Sequence, residues 1–547
     1  MNPSPTARRA LAVVAASLLL TTGCGGSSHA SQKPSTPGGR GASGSASADA
    51  PTGASAAPRS TTMSAADAVP ADLQQFYSQQ PKWASCTSDS SGPGWTCAKI
   101  TVPLDYSDPA KGTTYIMATR KAATGPASQR VGSLLLNPGG PGGAGIAYAQ
   151  DPSVVTKNVA AHYDIVGFDP RGVGQSDPVR CLSDDTAAMD EFVSADPMPR
   201  TDAQVAEVVK ESQAIGKACE QKSGRILPYI GTPNAARDMD VLRAVLGDQK
   251  LYYLGKSYGT YLGAVYAGLF PQNTGRLVLD GAIDPTLTAK QMNIAQAQGF
   301  EKLIREFAAD CVTQSGCPLG TDGNTAVDKL MTYLQSLQDH PVPTHDGNRT
   351  VNYGLGLTAV LQVMYVPQYW GDLRDALSAA MNGDGTRLLQ WADLYNDRTN
   401  GTYDNQTDAN IAINCLDRPD PDAENAQQIE NKEVPDYKTQ APLLGEMLAW
   451  ADLSCATWPV KPQTQPAPIT APGSAPLLVV GTKDDPATPY AWAQGLAKQL
   501  QNGHLLTFNG SGHTAYTRGS QCIDNAVDAY LLQGTVPPAG ITCDVSP

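Results

Sequence analysis

Six short apolar runs punctuate the chain, at 132–136, 163–168, 250–254, 276–279, 476–480 and 504–508. Most are almost continuously apolar and bounded by Gly, Pro or Asp, the pattern of strands buried on both faces. Helical spacing of apolar positions fills the gaps at 235–246, 260–270 and 491–500. Strand–helix alternation of this kind predicts an α/β fold around a mostly parallel sheet. The strand rhythm stops between Pro285 and about Gly473, where helical patterns run at 291–309, 325–338 and 423–432. Residues 71–285 and 474–547 therefore read as two parts of one α/β core, split by a helical insertion at 286–473. An insertion at this point is expected to form a cap over an active site.

The pattern before residue 71 is of another kind. Arg8 and Arg9 precede an apolar core at 10–20, too short to span a bilayer as a mature helix. Thr21-Thr22-Gly23-Cys24 follows and resembles a bacterial lipobox, with Thr21 where leucine is usual. Residues 1–23 read as an export signal, and cleavage before Cys24 would leave its sulfur as the lipid attachment site. Residues 24–70 read as a tether, since a Ser/Ala/Gly/Pro run cannot bury enough surface to offset its ordering entropy. The expected location is the outer face of the cell membrane as a lipoprotein, or the medium as a secreted protein.

Cysteine usage fits that compartment. The chain has 11 cysteines; removing Cys24 leaves an even set for an oxidising environment. The spacing does not fix the connectivity, and pairing of neighbours is the expectation: Cys86 with Cys97, Cys181 with Cys219, Cys311 with Cys317, Cys415 with Cys455, and Cys522 with Cys543. Each bridge would contribute about 2–4 kcal/mol. The composition, 41% hydrophobic and 17% charged, suits a globular enzyme. A net charge of −13 without a basic cluster beyond the N-terminus leaves no electrostatic footprint for nucleic acid. No cysteine spacing resembles a zinc site and no His-Glu-x-x-His occurs, so neither metal nor cofactor is expected.

The chemistry centres on Gly255-Lys256-Ser257-Tyr258-Gly259, between a predicted strand and a predicted helix. A serine on such a sharp turn is a nucleophile elbow, with flanking glycines where a Cβ would clash. A serine hydroxyl needs a histidine to take its proton and an acid to orient that histidine, in the chain order Ser, acid, His. Of the 6 histidines, His29 is in the tether, His162 precedes Ser257, and His340 and His345 fall in the insertion. His504 begins a strand, whereas His513 follows Gly510-Ser511-Gly512 at the strand's carboxyl end, where catalytic groups of α/β sheets gather. His513 is the expected base. Asp485 is the favoured acid; Asp484 beside it and Asp280 at an earlier strand end are alternatives. The loop Asn137-Pro-Gly-Gly-Pro-Gly-Gly-Ala-Gly145 lacks the ending of a nucleotide site and reads as an oxyanion loop. Backbone N–H groups of Gly140 and Tyr258 are its expected donors. Asp169 and Arg171 read as a structural ion pair.

With these segments, Cys97-Ala-Lys-Ile-Thr-Val-Pro-Leu-Asp-Tyr106, Asp485-Pro-Ala-Thr-Pro489, Gly512-His513, and Cys415 with Cys455-Ala-Thr-Trp458, the chain from about Ala71 onward resembles the secreted tripeptidyl aminopeptidases. These are α/β-hydrolases related to proline iminopeptidases. The resemblance implies Ser257 as nucleophile, Asp485 as acid, His513 as base, and removal of short peptides from free N-termini of peptides or small proteins. The extra residue in Gly481-Thr-Lys-Asp-Asp485 keeps the choice between Asp484 and Asp485 open. Exopeptidase action also needs a carboxylate under the cap for the substrate ammonium; Glu301, Glu306, Glu446 and Asp452 are candidates. The same machinery would serve an esterase or lipase, and a surface binding lipoprotein with a vestigial triad is the third reading.

Overall fold

The structure is a computed structural model and describes residues 69–86, 93–418, 425–462 and 464–546. The export signal, Cys24 and nearly all of the tether lie outside the described residues. One sheet of ten strands organises the rest. In chain order these are β1 (Ala84–Ser85), β2 (Trp95–Pro103), β3 (Thr113–Lys121), β4 (Gly132–Asn137), β5 (Tyr163–Phe168), β6 (Leu251–Lys256), β7 (Thr274–Asp280), β8 (Leu477–Asp484), β9 (Gly503–Ser511) and β10 (Thr542–Asp544). Their spatial order is β1-β2-β3-β5-β4-β6-β7-β8-β9-β10. From β5 to β10 every pairing is parallel. β1, β2 and β3 form an antiparallel edge ending on β5. This is an α/β-hydrolase fold.

Alternation along the central strands builds two cores. Leu135, Tyr253, Leu277, Leu279, Leu477 and Val479 face one buried cluster. Their neighbours Leu134, Leu136, Leu254, Val278, Leu478 and Val480 face the other. Successive strand side chains point to opposite faces, so a strand covered on both sides must be apolar throughout. The first core is covered by α1 (Thr232–Val245) and α2 (Tyr258–Leu269), and the second by α8 (Gln521–Gln533).

The insertion is helical, as its sequence pattern predicts. It includes α3 (Ala289–Thr313), α4 (Gln406–Asp417), α5 (Gly445–Ala451) and α6 (Leu453–Ala456), with two small hairpins. The chain re-enters the core at β8, followed by α7 (Tyr490–Gln499). Polar ties bind insertion to core: Asn405 accepts from Gly174 N at 2.8 Å and donates to Gly172 O and Val179 O, while Asn410 donates to Pro141 O at 2.8 Å. All five expected disulfides are present.

Candidate active site

The carboxyl ends of β4, β6, β7, β8 and β9 converge, as an open parallel sheet requires of its site. Ser257 sits between β6 and α2 with φ 55° and ψ −125°, a left-handed backbone that a side chain rarely adopts. Such strain costs on the order of 1–3 kcal/mol and persists only where the surroundings enforce it. Here the Ser257 N–H donates to Asp280 O at 2.9 Å, and its carbonyl accepts from Thr260 N at 2.9 Å and Thr260 Oγ1 at 2.6 Å. The flanking glycines are needed for close approach. A Cβ on Gly255 would lie 2.3 Å from Gly259 O, and one on Gly259 would lie 2.7 Å from Asn137 Oδ1.

The glycine loop after β4 presses on the elbow. Gly139, Gly140 and Gly142 have φ of 100°, 107° and 103°, and the Gly140–Pro141 peptide is cis. A Cβ on Gly139 would meet Lys256 O at 2.6 Å and Ser257 Cβ at 2.9 Å, so only glycine fits. Gly139 N donates to Asn137 Oδ1 at 3.0 Å, whereas Gly140 turns to line a cavity with Ser257.

His513 lies on the loop after β9. Its Nδ1 is 2.8 and 2.9 Å from the two carboxylate oxygens of Asp485. Asp485 also accepts from Ala487 N at 3.0 Å, Thr488 N at 2.8 Å, Thr488 Oγ1 at 2.9 Å and Thr514 N at 3.2 Å. Acceptance by Asp485 assigns the proton to Nδ1 and leaves Nε2 as the basic nitrogen. Nε2 is buried and has no hydrogen-bond partner among the described residues. A Cβ on Gly281, the residue after the Asp280 carbonyl that holds Ser257, would lie 3.2 Å from His513 Cε1. The His513 imidazole and Ser257 thus flank the same strand end.

The other two carboxylates take other partners. Asp484 pairs with Lys302 of α3 and lies 3.5 Å from Ser511 Oγ. Asp280 accepts from Ala515 N at 2.9 Å and Tyr516 N at 3.0 Å. The Lys256 ammonium is 4.0 Å from Asp280 and donates to Tyr516 O at 2.9 Å. Burial pushes the Asp280 carboxyl up and brings Lys256 down to about 8, outweighing their mutual attraction. Among the other histidines, His340 and His345 are exposed and His504 lies at the opposite end of β9.

A sequence comparison decides the family. Tripeptidyl aminopeptidase of Streptomyces lividans is 34% identical over 475 residues, covering 84% of this chain and 86% of that protein. The chain belongs to the tripeptidyl aminopeptidase family. It is a serine hydrolase of a peptidase family on the α/β-hydrolase fold. A family model described as TAP-like protein matches residues 441–543, which hold Asp485 and His513. Serine protease Hip1 of Mycobacterium tuberculosis (strain ATCC 25618 / H37Rv) is 39% identical over 485 residues, covering 85% of this chain and 91% of that one. Carboxylesterase B of the same strain is 38% identical over 478 residues, covering 85% and 90%.

Within this family member, a cavity of about 90 Å³ joins core and insertion. Its wall includes Gly140, Ser257 and Thr488 from the core, and Asn293, Arg418 and Asp452 from the insertion. Of the four cap carboxylates considered from sequence, Asp452 lines this cavity. Its oxygens accept from Asn293 Nδ2 at 2.8 Å and Tyr437 OH at 3.0 Å. Glu301 accepts from Leu443 N and Leu444 N, and Glu446 pairs with Lys438 at 2.7 Å. Glu301 and Glu306 face a separate open groove beside Lys302 and Arg305.

One expectation is corrected. Asp169 and Arg171 do not pair with each other. Arg171 is fully buried and grips Asp238 of α1 at 2.6 Å through both Nε and Nη2, because the chain turns between the two residues. Asp169 instead accepts from Ile146 N at 3.0 Å and Gln175 N at 2.9 Å, stabilising loop backbone. Sequence reasoning also missed Tyr365 in the insertion. Its carbonyl accepts from His513 N at 2.9 Å, and its ring packs edge-on against the imidazole at 5.5 Å. A contact between residues 148 positions apart leaves no local sequence signal.

Proposed function

We propose that this chain is an exported serine exopeptidase that removes di- or tripeptides from free N-termini. In this reading His513 Nε2 takes the Ser257 hydroxyl proton as Oγ attacks the scissile carbonyl. Asp485 holds the imidazole and stabilises its charged form. The carbonyl oxygen, now negative, accepts from the N–H groups of Gly140 and Tyr258. Collapse breaks the C–N bond, His513 returns the proton to the leaving amine, and an acyl-enzyme remains on Ser257. Water activated by His513 then releases the short peptide acid.

One observation carries the exopeptidase reading: Asp452 lines the same cavity as Ser257. A carboxylate there suits a substrate ammonium, because a charge leaving water needs a charged, hydrogen-bonded partner. The carboxylesterase named among the relatives supports the second reading, an esterase on the same machinery. Five disulfides support export to an oxidising compartment, and Cys24 remains the proposed lipid anchor. The test compares a tripeptide p-nitroanilide, its N-acetylated form and a short-chain p-nitrophenyl ester. Strong preference for the free amine, lost in Asp452→Asn, is the expected result. Equal turnover of free and acetylated peptides sinks the exopeptidase reading, and turnover of the ester alone favours the esterase.

A further inference from the structure

Arg418 is a charged wall of the cavity, and its partners among the described residues are weak ones. It follows α4 directly and lines the same cavity as Ser257 and Asp452. Its Nη1 meets Met292 Sδ at 3.1 Å, a weak acceptor, and its guanidinium lies 5.7 Å from the centre of the Tyr261 ring. Its Nη2 is buried with no acceptor among the described residues. The adjacent carboxylate, Asp417, is taken by Thr232, whose N–H donates at 3.0 Å and whose hydroxyl also bonds it. A guanidinium carries five N–H donors, and leaving them unmet away from water is costly. Ordinary structural arginines resolve this as Arg171 does, against a carboxylate and main-chain carbonyls. Among the described residues, Arg418 has a sulfur, a ring and a cavity.

We propose that Arg418 is a substrate subsite, donating to an acceptor oxygen in the peptide segment N-terminal to the scissile bond. The assignment rests on the peptidase reading above. Two sources supply such an oxygen: a main-chain carbonyl, present in every peptide, or an acidic side chain. With Asp452 lining the same cavity, the acyl segment meets a positive and a negative group while Ser257 acts on its scissile carbonyl.

The test uses the full chain and three substrates: a neutral tripeptide p-nitroanilide, the same tripeptide with one aspartate, and p-nitrophenyl acetate. Rates are normalised to active sites counted with a fluorophosphonate, so misfolded molecules drop out. Arg418→Met, which keeps much of the stem, is expected to lower kcat/KM on the peptides by about 10–100-fold, the worth of a charged hydrogen bond. Acetate turnover is expected to stay within about 2-fold, since an acetyl group offers no acceptor beyond the reacting carbonyl. Arg418→Lys should recover part of the loss, and it decides the matter if the methionine variant yields no labelled protein. Equal loss on both peptides assigns the main-chain carbonyl; loss confined to the aspartate peptide assigns the side chain. Equal loss on peptides and acetate, or no loss on either peptide, overturns the proposal. If the wild type does not prefer free over acetylated tripeptide, the exopeptidase reading fails alone, and the Arg418 ratio is read on the acetylated peptide.

Discussion

Asp280→Asn separates a carboxylate that holds the histidine loop from the one that holds the histidine. Asp280 is fully buried, accepts amides from Ala515 and Tyr516, and sits 4.0 Å from the Lys256 ammonium. The gross attraction at that distance is about 4 kcal/mol at an effective dielectric of ~20. The loss on substitution is smaller, because burial has already brought Lys256 down to about 8. Shedding its proton at pH 7 then costs only about 1 kcal/mol, which caps the electrostatic part. The asparagine NH₂ would also face the Ala515 N–H in place of an oxygen now at 2.9 Å, a further loss of about 1 kcal/mol. The expected destabilisation is therefore about 2 kcal/mol at pH 7, read by urea unfolding with the disulfides intact. Native wild type is expected to hold a proton on Lys256 at pH 7 that the variant sheds, so the gap should shrink by about 1 kcal/mol as pH rises to 9. Activity should fall by at most about 100-fold through misplacement of His513, against about 10⁴-fold for Asp485→Asn. A folded Asp280→Asn protein as inactive as Asp485→Asn would refute the assignment, as would a stability gap that widens with pH.

Strain at the elbow predicts that Ser257→Gly is more stable than Ser257→Ala by about 1 kcal/mol, since relief of ~1–3 kcal/mol exceeds the entropic cost of glycine; equal unfolding midpoints would contradict it. Burial pushes Asp169, Asp404 and Asp417 up to about 6 from 3.8. The native state then binds more protons than the unfolded chain in that window, so stability falls as pH rises through it. Thermal melts should accordingly shift upward from pH 7 to pH 5, and a downward shift would show that these carboxylates sit comfortably ionised. Replacing Cys415 and Cys455 by serine opens a loop of 40 residues and should cost about 4 kcal/mol. Because Cys455 also lines the cavity, KM for peptide anilides should rise more than that for the acetate ester; unchanged KM for both would separate the bridge from the site.

The parallel half of the fold was readable because both its faces are covered. Runs such as 163–168 and 476–480 are apolar at nearly every position, and they became β5 and the start of β8. The antiparallel edge is not legible in the same way. β2 and β3 alternate, with Ile100, Val102, Ile116 and Ala118 inside and Lys99 and Thr101 outside, a period-two signal hidden among polar residues. The elbow serine and its glycines announced themselves through local backbone demands. The choice among Asp280, Asp484 and Asp485 could not be made locally, because all three sit at or beside strand ends and differ only in partners supplied by distant loops. The same holds for Asp452 and Arg418: the turn of the insertion over the sheet makes them neighbours of Ser257, and helix periodicity alone leaves them ordinary surface residues.

Fluorophosphonate labelling followed by mass spectrometry of the digested protein tests the whole account at one atom. A single adduct on the peptide carrying Ser257, formed by the wild type and absent or slowed by orders of magnitude in His513→Ala, is the predicted result. An unlabelled wild type, an adduct on a different serine, or equal labelling without the imidazole would contradict it.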